Sequence, residues 1–463
     1  MNTHELVILG SGPAGMAAAA TAAEHGITPV VIDEQPAPGG QIYRAIETTP
    51  IRDRKVLGAD YWHGRELVRG LRDTRIDYRP GTSVWQLTRQ RELGLLHEDR
   101  AAMLQARYVI LATGAMERPF PIPGWTLPGV MTAGSAQILL KSSGVAPASP
   151  VVLAGTGPLL LLLAAQYLRA GIPIAALLDT TPRGRHLEAL PHLPAALRNT
   201  GTLAKGLGLL RELRRAGVRQ IKHVSALRAE GDSQLERIRW QCADSNDWET
   251  LETSTLLLHQ GVVPNTQITR ALECSHDWDT RQLAWQPRLD DWLRTDIEGI
   301  AVAGDGGGIV GARASALQGH LAGLGAAIAL GRVECEQVRQ EEAWLRRRLA
   351  RETAIRPFLD VLYRPANRWR LPDDDTLACR CEEVTAGEVR RMAEMGCRGP
   401  NQTKSFTRCG MGPCQGRMCG LTVSELLADA NHQSVAETGY YRLRPPFKPI
   451  TLGQLARAAE EAE

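Results

Sequence analysis

Short apolar runs alternate with alanine- and leucine-rich helical patterns along most of this chain. Leu6-Val7-Ile8-Leu9 is an unbroken apolar run, as expected of a strand covered on both faces. A glycine turn follows, Gly10-Ser11-Gly12-Pro13-Ala14-Gly15, then an alanine-rich helical stretch over 16–25. Thr28 to Ile32 reads as a second strand and closes on Asp33-Glu34. The same order returns from Val151: an apolar strand, the turn Gly155-Thr156-Gly157, a helix over 159–170, Gly171, and a strand ending at Asp179. Between and after these units, Tyr108 to Ala112 runs into Thr113-Gly114, and Ile300 to Ala303 runs into Gly304-Asp305. Residues 334–351 place Glu341, Glu342 and Arg346 to Arg348 at helical spacing, the pattern of a solvated connecting helix. An acidic turn at 372–375 opens a polar, helix-prone segment, and a helix is expected near 422–429. Residues 439–450 are too rich in proline for a core helix or a central strand and read as extended, lying along a surface of this chain or of a partner.

Repeated strand–helix–strand units predict an α/β fold with parallel sheets. At 463 residues the chain has room for about three domains. With 43% hydrophobic and 23% charged residues it has an ordinary core, and a net charge of +3 is too small to argue for nucleic acid or an anionic membrane as partner. No export signal and no long apolar span stand out, so the cytoplasm is the expected compartment.

The first glycine turn is a dinucleotide fingerprint in its proper setting. Gly10 permits the tight turn, Gly12 lets a pyrophosphate approach, and Gly15 allows helix and strand to pack closely. Pro13 and Ala14 open the helix, whose free N–H groups and dipole favour phosphate. Asp33 follows Gly12 by 21 positions, where an acid for the ribose belongs, and Glu34 is the neighbouring candidate. The second turn departs from the pattern, because Leu160 stands where the third glycine belongs and a bulky residue there pushes helix and strand apart. Asp179 would favour NAD over NADP if the site works; the altered fingerprint weighs against any nicotinamide.

Cysteine supplies the other chemistry. Six of the nine cysteines lie between 379 and 419: Cys379, Cys381, Cys397, Cys409, Cys414 and Cys419. Four thiolates converging on iron would account for such a group. A structural zinc site usually shows C-x2-C pairs, and no C-x-x-C occurs anywhere. Its absence also removes the active pair that thiol-disulfide reductases need. Cys242, Cys274 and Cys335 stand isolated. The eleven histidines are scattered; His320, just after the 304–305 motif, is the one expected nearest a cofactor.

These motifs carry a resemblance. Pro38-Gly39-Gly40-Gln41, Ala112-Thr113-Gly114 and Gly304-Asp305, in this order, are similar to the FAD-binding segments of two-dinucleotide-binding flavoproteins of the glutathione-reductase-like class. The C-x-C pair Cys379/Cys381, a gap of 32 residues, and the C-x4-C pair Cys414/Cys419 resemble the bacterioferritin-associated-ferredoxin-like [2Fe-2S] module. That makes these four cysteines the ligands and Cys409 a spare or a replacement. With Thr113 to Pro119, Pro123 to Val130 and Arg444 to Pro449, the chain resembles the FAD-containing A (alpha) subunits of bacterial heteromeric amine-type dehydrogenases, among them opine oxidases, D-hydroxyproline dehydrogenase and hydrogen cyanide synthase. The resemblance implies an FAD domain over 1–118 and 296–334, an NAD(P)-binding-like domain over 119–295, a helical connector over 335–372, a [2Fe-2S] module over 373–425 and an extended docking tail over 426–463. It further implies an electron-transfer subunit served by a substrate-oxidising FAD subunit of D-amino-acid-oxidase type, with room for a small gamma subunit, for FMN at a subunit interface, and for contact with the inner membrane through partners. The alternatives are a self-sufficient NADH-dependent oxidoreductase and a non-catalytic redox-sensing assembly subunit. No acid, base or nucleophile arrangement for substrate chemistry is visible.

Overall fold

The computed structural model describes residues 3–72 and 75–460; the ends of the first and last expected units, residues 1–2 and 461–463, lie outside it. The chain starts with β1 (Thr3–Leu9), α1 (Pro13–Glu24), β2 (Val30–Ile32), β3 (Asp77–Arg79), β4 (Thr82–Leu87), β5 (Glu92–His97) and β6 (Arg100–Leu111). These strands form one sheet in the order β3-β2-β1-β6-β5-β4. It is parallel from β3 to β6 and antiparallel from β6 to β4. β1 is buried from Leu6 onward because both faces are covered.

A second sheet is built from β7 (Val130–Thr132), β8 (Val151–Thr156), β9 (Ile174–Asp179), β10 (Gln220–Ile221) and β11 (Leu256–Gln260), with α2 (Ala133–Ser143) and α3 (Pro158–Arg169) between them. Its order is β10-β9-β8-β11-β7, and every pairing is parallel. The chain then returns to the first sheet: β12 (Ile300–Val302) pairs in parallel with the end of β6. The long helix α4 (Ala312–Ala329) lies directly on α1. Two glycines make that approach possible, since a Cβ at Gly319 would stand 2.1 Å from the Ala14 carbonyl oxygen and one at Gly323 2.8 Å from that of Ala18. Helix α5 (Cys335–Thr353), the charged connector of the sequence, buries only Val338 and Leu345 and rests them on α4. It is followed by α6 (Arg356–Leu362).

The cysteine-rich segment folds as a small helical unit. A short hairpin (Leu377–Cys379 with Val384–Thr385) leads into α7 (Ala386–Glu394), α8 (Pro400–Thr407) and α9 (Gly420–Ala430). Thr385 and Glu388 form a capping box at the start of α7. The unit has its own apolar core, in which Val389, Val423, Leu426 and Leu427 join Cys379, Cys409 and Cys419. Trp125 Nε1 donates to the Leu377 carbonyl at 2.9 Å, and Gln267 Nε2 to that of Gln415 at 3.0 Å, which fixes the unit against the second sheet's surroundings.

The segment after 438 is extended, and it lies on this chain rather than projecting from it. Tyr441 and Leu443 enter the core of the cysteine unit, and Phe447 enters the core beneath the first sheet. A final helix, α10 (Leu452–Glu460), was not legible in the sequence.

Candidate functional site

The first turn has the shape a dinucleotide needs. A Cβ at Gly15 would lie 1.8 Å from the Gly10 carbonyl oxygen, and one at Gly40 2.9 Å from the Gly12 Cα, so both approaches require glycine. Gly12 caps α1 without any side-chain hydrogen bond. Pro13 has no N–H, and the Met16 N–H goes to the Gly12 carbonyl. The Ala14 and Gly15 N–H groups are therefore left at the positive end of the helix. Asp33 sits buried at the end of β2, its carboxylate accepting from the Ser11 N–H and hydroxyl at 2.6 Å each and from the Gln35 N–H at 2.8 Å. Glu34 instead forms an ion pair with Lys448 of the C-terminal segment.

Gly10, Gly12, Pro13, Ala14, Asp33, Glu34, Gly40, Gln41, Ala112, Thr113, Gly114, Gly304 and Asp305 all line one cavity of about 1230 Å³. Asp305 anchors the entry to α4, its Oδ1 accepting from the Val310 and Gly311 N–H groups at 2.8 and 2.9 Å. Among the described residues nothing donates to its other oxygen. His320 stands apart from this cavity, between α1 and α4, with Nδ1 2.7 Å from the Thr21 hydroxyl. The expectation that it lies nearest the cofactor is therefore not met: it falls two helical turns into α4, facing α1. The residues present fit a flavin dinucleotide, since the glycine cradle, the free helix N-terminus and the acid converge on one cavity.

The second turn opens on the same cavity through Gly157, Pro158 and Leu159, yet its chemistry differs. Leu160 is 1% exposed and its side chain belongs to the main core. His259 at the end of β11 reaches beneath the turn, with Nε2 3.5 Å from where a Gly157 Cβ would stand, and Nδ1 pairs with Glu117 at 2.6 Å. Asp179 Oδ1 accepts from the Thr181 N–H at 2.9 Å. Tyr363, following α6, lines the cavity near Asp179.

In the cysteine unit the structure gathers five of the six sulfurs. The Sγ atoms of Cys379, Cys409 and Cys419 lie within 4.8 Å of one another, all buried. Cys381 and Cys414 interact as a second pair. Cys381 is exposed, whereas Cys414 faces the large cavity. Gly412 passes so close to Cys381 that a Cβ there would meet its Cβ at 2.3 Å. Hydrogen bonds from the Cys409 and Cys419 thiols hold the Cys379 thiol far below its ordinary range, and the same sharing pushes Cys409 up. Such thiols release protons when metal binds. Cys397 is buried outside this group. Spacing placed Cys409 outside the ligand set because it precedes the Gly410-Met411-Gly412 turn; that turn folds its sulfur back onto Cys379 and Cys419.

Several other residues here escaped sequence reasoning. Lys141 on α2 is 2% exposed, and its Nζ donates to the Gln41 carbonyl at 3.2 Å, the Ile42 carbonyl at 2.9 Å and Gln137 Oε1 at 2.7 Å. It thus holds the Pro38–Arg44 loop against the second domain. Burial, helped by the charge of Arg44, lowers its pKa to about 7. Arg118, just beyond the Thr113-Gly114 strand end, donates through Nη2 to the Gln282 and Leu283 carbonyls at 2.6 and 3.0 Å, while burial lowers its pKa to about 10. Glu425 on α9 pairs with Arg370 in the interior. A lone lysine in the apolar stretch Ile138-Leu139-Leu140-Lys141 was the one available signal for these contacts.

Residues 4–319 match the family model of pyridine nucleotide-disulphide oxidoreductases, and residues 377–459 match the sarcosine oxidase A3 domain. Over 462 residues the chain is 43% identical to the A (alpha) subunit of opine oxidase from Rhizobium meliloti (strain 1021), covering 99% of this chain and 100% of that protein. It belongs to the family of opine oxidase A (alpha) subunits. Hydrogen cyanide synthase subunit HcnB of Pseudomonas aeruginosa is 34% identical, over 98% of this chain and 99% of that protein. The fold matches L-proline dehydrogenase from P. horikoshii with a TM-score of 0.69 at 20% identity, over 98% of this chain and 79% of that one. As a family member the chain is an oxidoreductase of α/β fold with a flavin as cofactor. No described helix is long and apolar enough to cross a membrane.

Proposed function

We propose that this chain is the electron-transferring subunit of a heteromeric opine or D-hydroxyproline dehydrogenase, working in the cytoplasm with a separate FAD subunit of D-amino-acid-oxidase type. The observation that carries the reading is that the flavin cradle and Cys414 line the same cavity. When bound, FAD would accept electrons in pairs and a [2Fe-2S] cluster would carry them singly.

The chain's own residues divide the work. Ala14 and Gly15 present N–H groups to a pyrophosphate, with Asp33 placed for a ribose. Lys141 holds the Gln41 loop, and Lys448 closes over Glu34. Cys379, Cys381, Cys414 and Cys419 are the proposed ligands, with Cys409 in position to replace one of them. Arg118 adds buried positive charge to the wall of this cavity. Leu160 and the buried His259–Glu117 pair leave the second turn without the features of a working nicotinamide site, which argues against a self-sufficient NADH reductase.

The test is anaerobic stopped-flow mixing of the purified chain first with NADH, then with a panel of opines and D-hydroxyproline. Neither should reduce the flavin until the partner subunit is added. Rapid bleaching by NADH alone would overturn the proposal in favour of the reductase, and reduction by an opine without a partner would place a substrate site on this chain. A Cys414→Ser variant that loses the cluster and alters complex formation, yet leaves the partner's dye-linked activity intact, would point instead to a sensing role.

A further inference from the structure

Three glycines of the cysteine loop are pressed against two adjacent tyrosines from the C-terminal segment. A Cβ at Gly410 would come within 2.5 Å of the Tyr441 ring, and one at Gly416 within 2.7 Å. A Cβ at Gly420 would come within 2.3 Å of the Tyr440 hydroxyl oxygen. The segment is held there by backbone contacts: Asn401 Nδ2 donates to the Tyr440 carbonyl at 3.1 Å, the Arg442 N–H donates to Asn401 Oδ1 at 2.8 Å, and Lys404 Nζ donates to the Arg442 carbonyl at 3.3 Å. The two rings end differently. The Tyr440 hydroxyl donates to the Gly416 carbonyl at 3.4 Å. The Tyr441 hydroxyl, on a side chain 3% exposed, lies 4.0 Å from Cys419 Sγ, the outer range for a hydrogen bond to sulfur, and it also reaches the neighbouring Cys409 thiol.

We propose that Tyr441 is a positioning residue for the iron–sulfur site, donating its hydroxyl proton to the Cys419 sulfur and so raising the reduction potential of the cluster. The inference rests on the [2Fe-2S] reading of these cysteines, and it uses a cysteine that belongs to the ligand set whether Cys409 or Cys414 completes it. A metal-bound cysteine is a thiolate with no proton to give, so the phenol must be the donor. Hydrogen bonds to cluster sulfurs stabilise the more negative, reduced state. Tyr441 and Cys419 are both buried, so bulk water does not take the donor's place when it is removed. The C-terminal segment is then part of the redox centre and sets its potential.

The experiment is an anaerobic redox titration of the full-length chain followed by electron paramagnetic resonance, with iron and sulfide content measured on each sample. Tyr441→Phe keeps the ring over Gly410 and Gly416, and should retain iron while its potential moves to more negative values. Tyr440→Phe should leave the potential unchanged. An unshifted Tyr441→Phe, or an equal shift in Tyr440→Phe, overturns the inference. If Tyr441→Phe does not hold iron, 3-fluorotyrosine at position 441 decides. This more acidic phenol of nearly the same size should move the potential upward, and no movement overturns the proposal. Wild-type chain without iron or sulfide after reconstitution would instead remove the iron–sulfur reading itself.

Discussion

Replacing Gly15 with alanine should weaken flavin binding severely through the backbone alone. The added Cβ would stand 1.8 Å from the Gly10 carbonyl oxygen, and the atom in its way is main chain, with no side-chain rotation to relieve it. To recover van der Waals separation the start of α1 must retreat from the turn by roughly 1.5 Å. A phosphate hydrogen-bonded at about 2.9 Å to the Ala14 and Gly15 N–H groups would then sit beyond about 4 Å, where the bonds are lost. Two hydrogen bonds to a charged group contribute about 1.5–3 kcal/mol each, so binding weakens by about 3–6 kcal/mol, or roughly two to four powers of ten in dissociation constant. The assay is flavin content after gel filtration, with affinity from fluorescence titration of the apoprotein. Gly208→Ala is the control: nothing lies within 4 Å of its Cβ position on the helix Thr200–Arg215, and it should bind flavin normally. Gly15→Ala with wild-type flavin affinity would refute the assignment of this turn to the pyrophosphate.

The remaining predictions concern the thiols and Lys141. Ser at Cys379, Cys381, Cys414 or Cys419 should abolish or distort the visible spectrum of the cluster, whereas Ser at Cys397 should not; normal iron content and spectrum in Cys414→Ser would transfer that ligand position to Cys409. The buried Lys141 ammonium has a pKa lowered to about 7 from 10.5, so between those values the unfolded chain binds more protons than the folded one and stability rises with pH. Melting curves of wild type and Lys141→Met should therefore diverge in favour of wild type from pH 7 to pH 9, by at most about 1.4 kcal/mol per pH unit. A constant difference across that range would show that burial does not hold the amine near neutrality.

Local chemistry made much of this protein legible from its residues. A glycine turn between an apolar run and an alanine-rich helix admits few structures, since only glycine fits the approaches at 10, 15 and 40, and Asp33 follows at the distance one βαβ unit dictates. The run of six cysteines between 379 and 419 likewise pointed to a unit in which sulfurs gather, and five of the six do. What the linear order could not carry was every contact made across long separations. The fold of the Gly410-Met411-Gly412 turn decides that Cys409 joins Cys379 and Cys419. The docking of α2 against the first domain decides that Lys141 meets the carbonyls of Gln41 and Ile42, and the return of β11 beside β8 brings His259 under Gly157 and onto Glu117. The proline-rich segment showed that it would be neither helix nor central strand. Only the tertiary structure decided that it lies across its own chain, with Tyr441 at the cysteines and Lys448 at Glu34, because extended backbone takes its position from whatever apolar surface its few anchors can bury against.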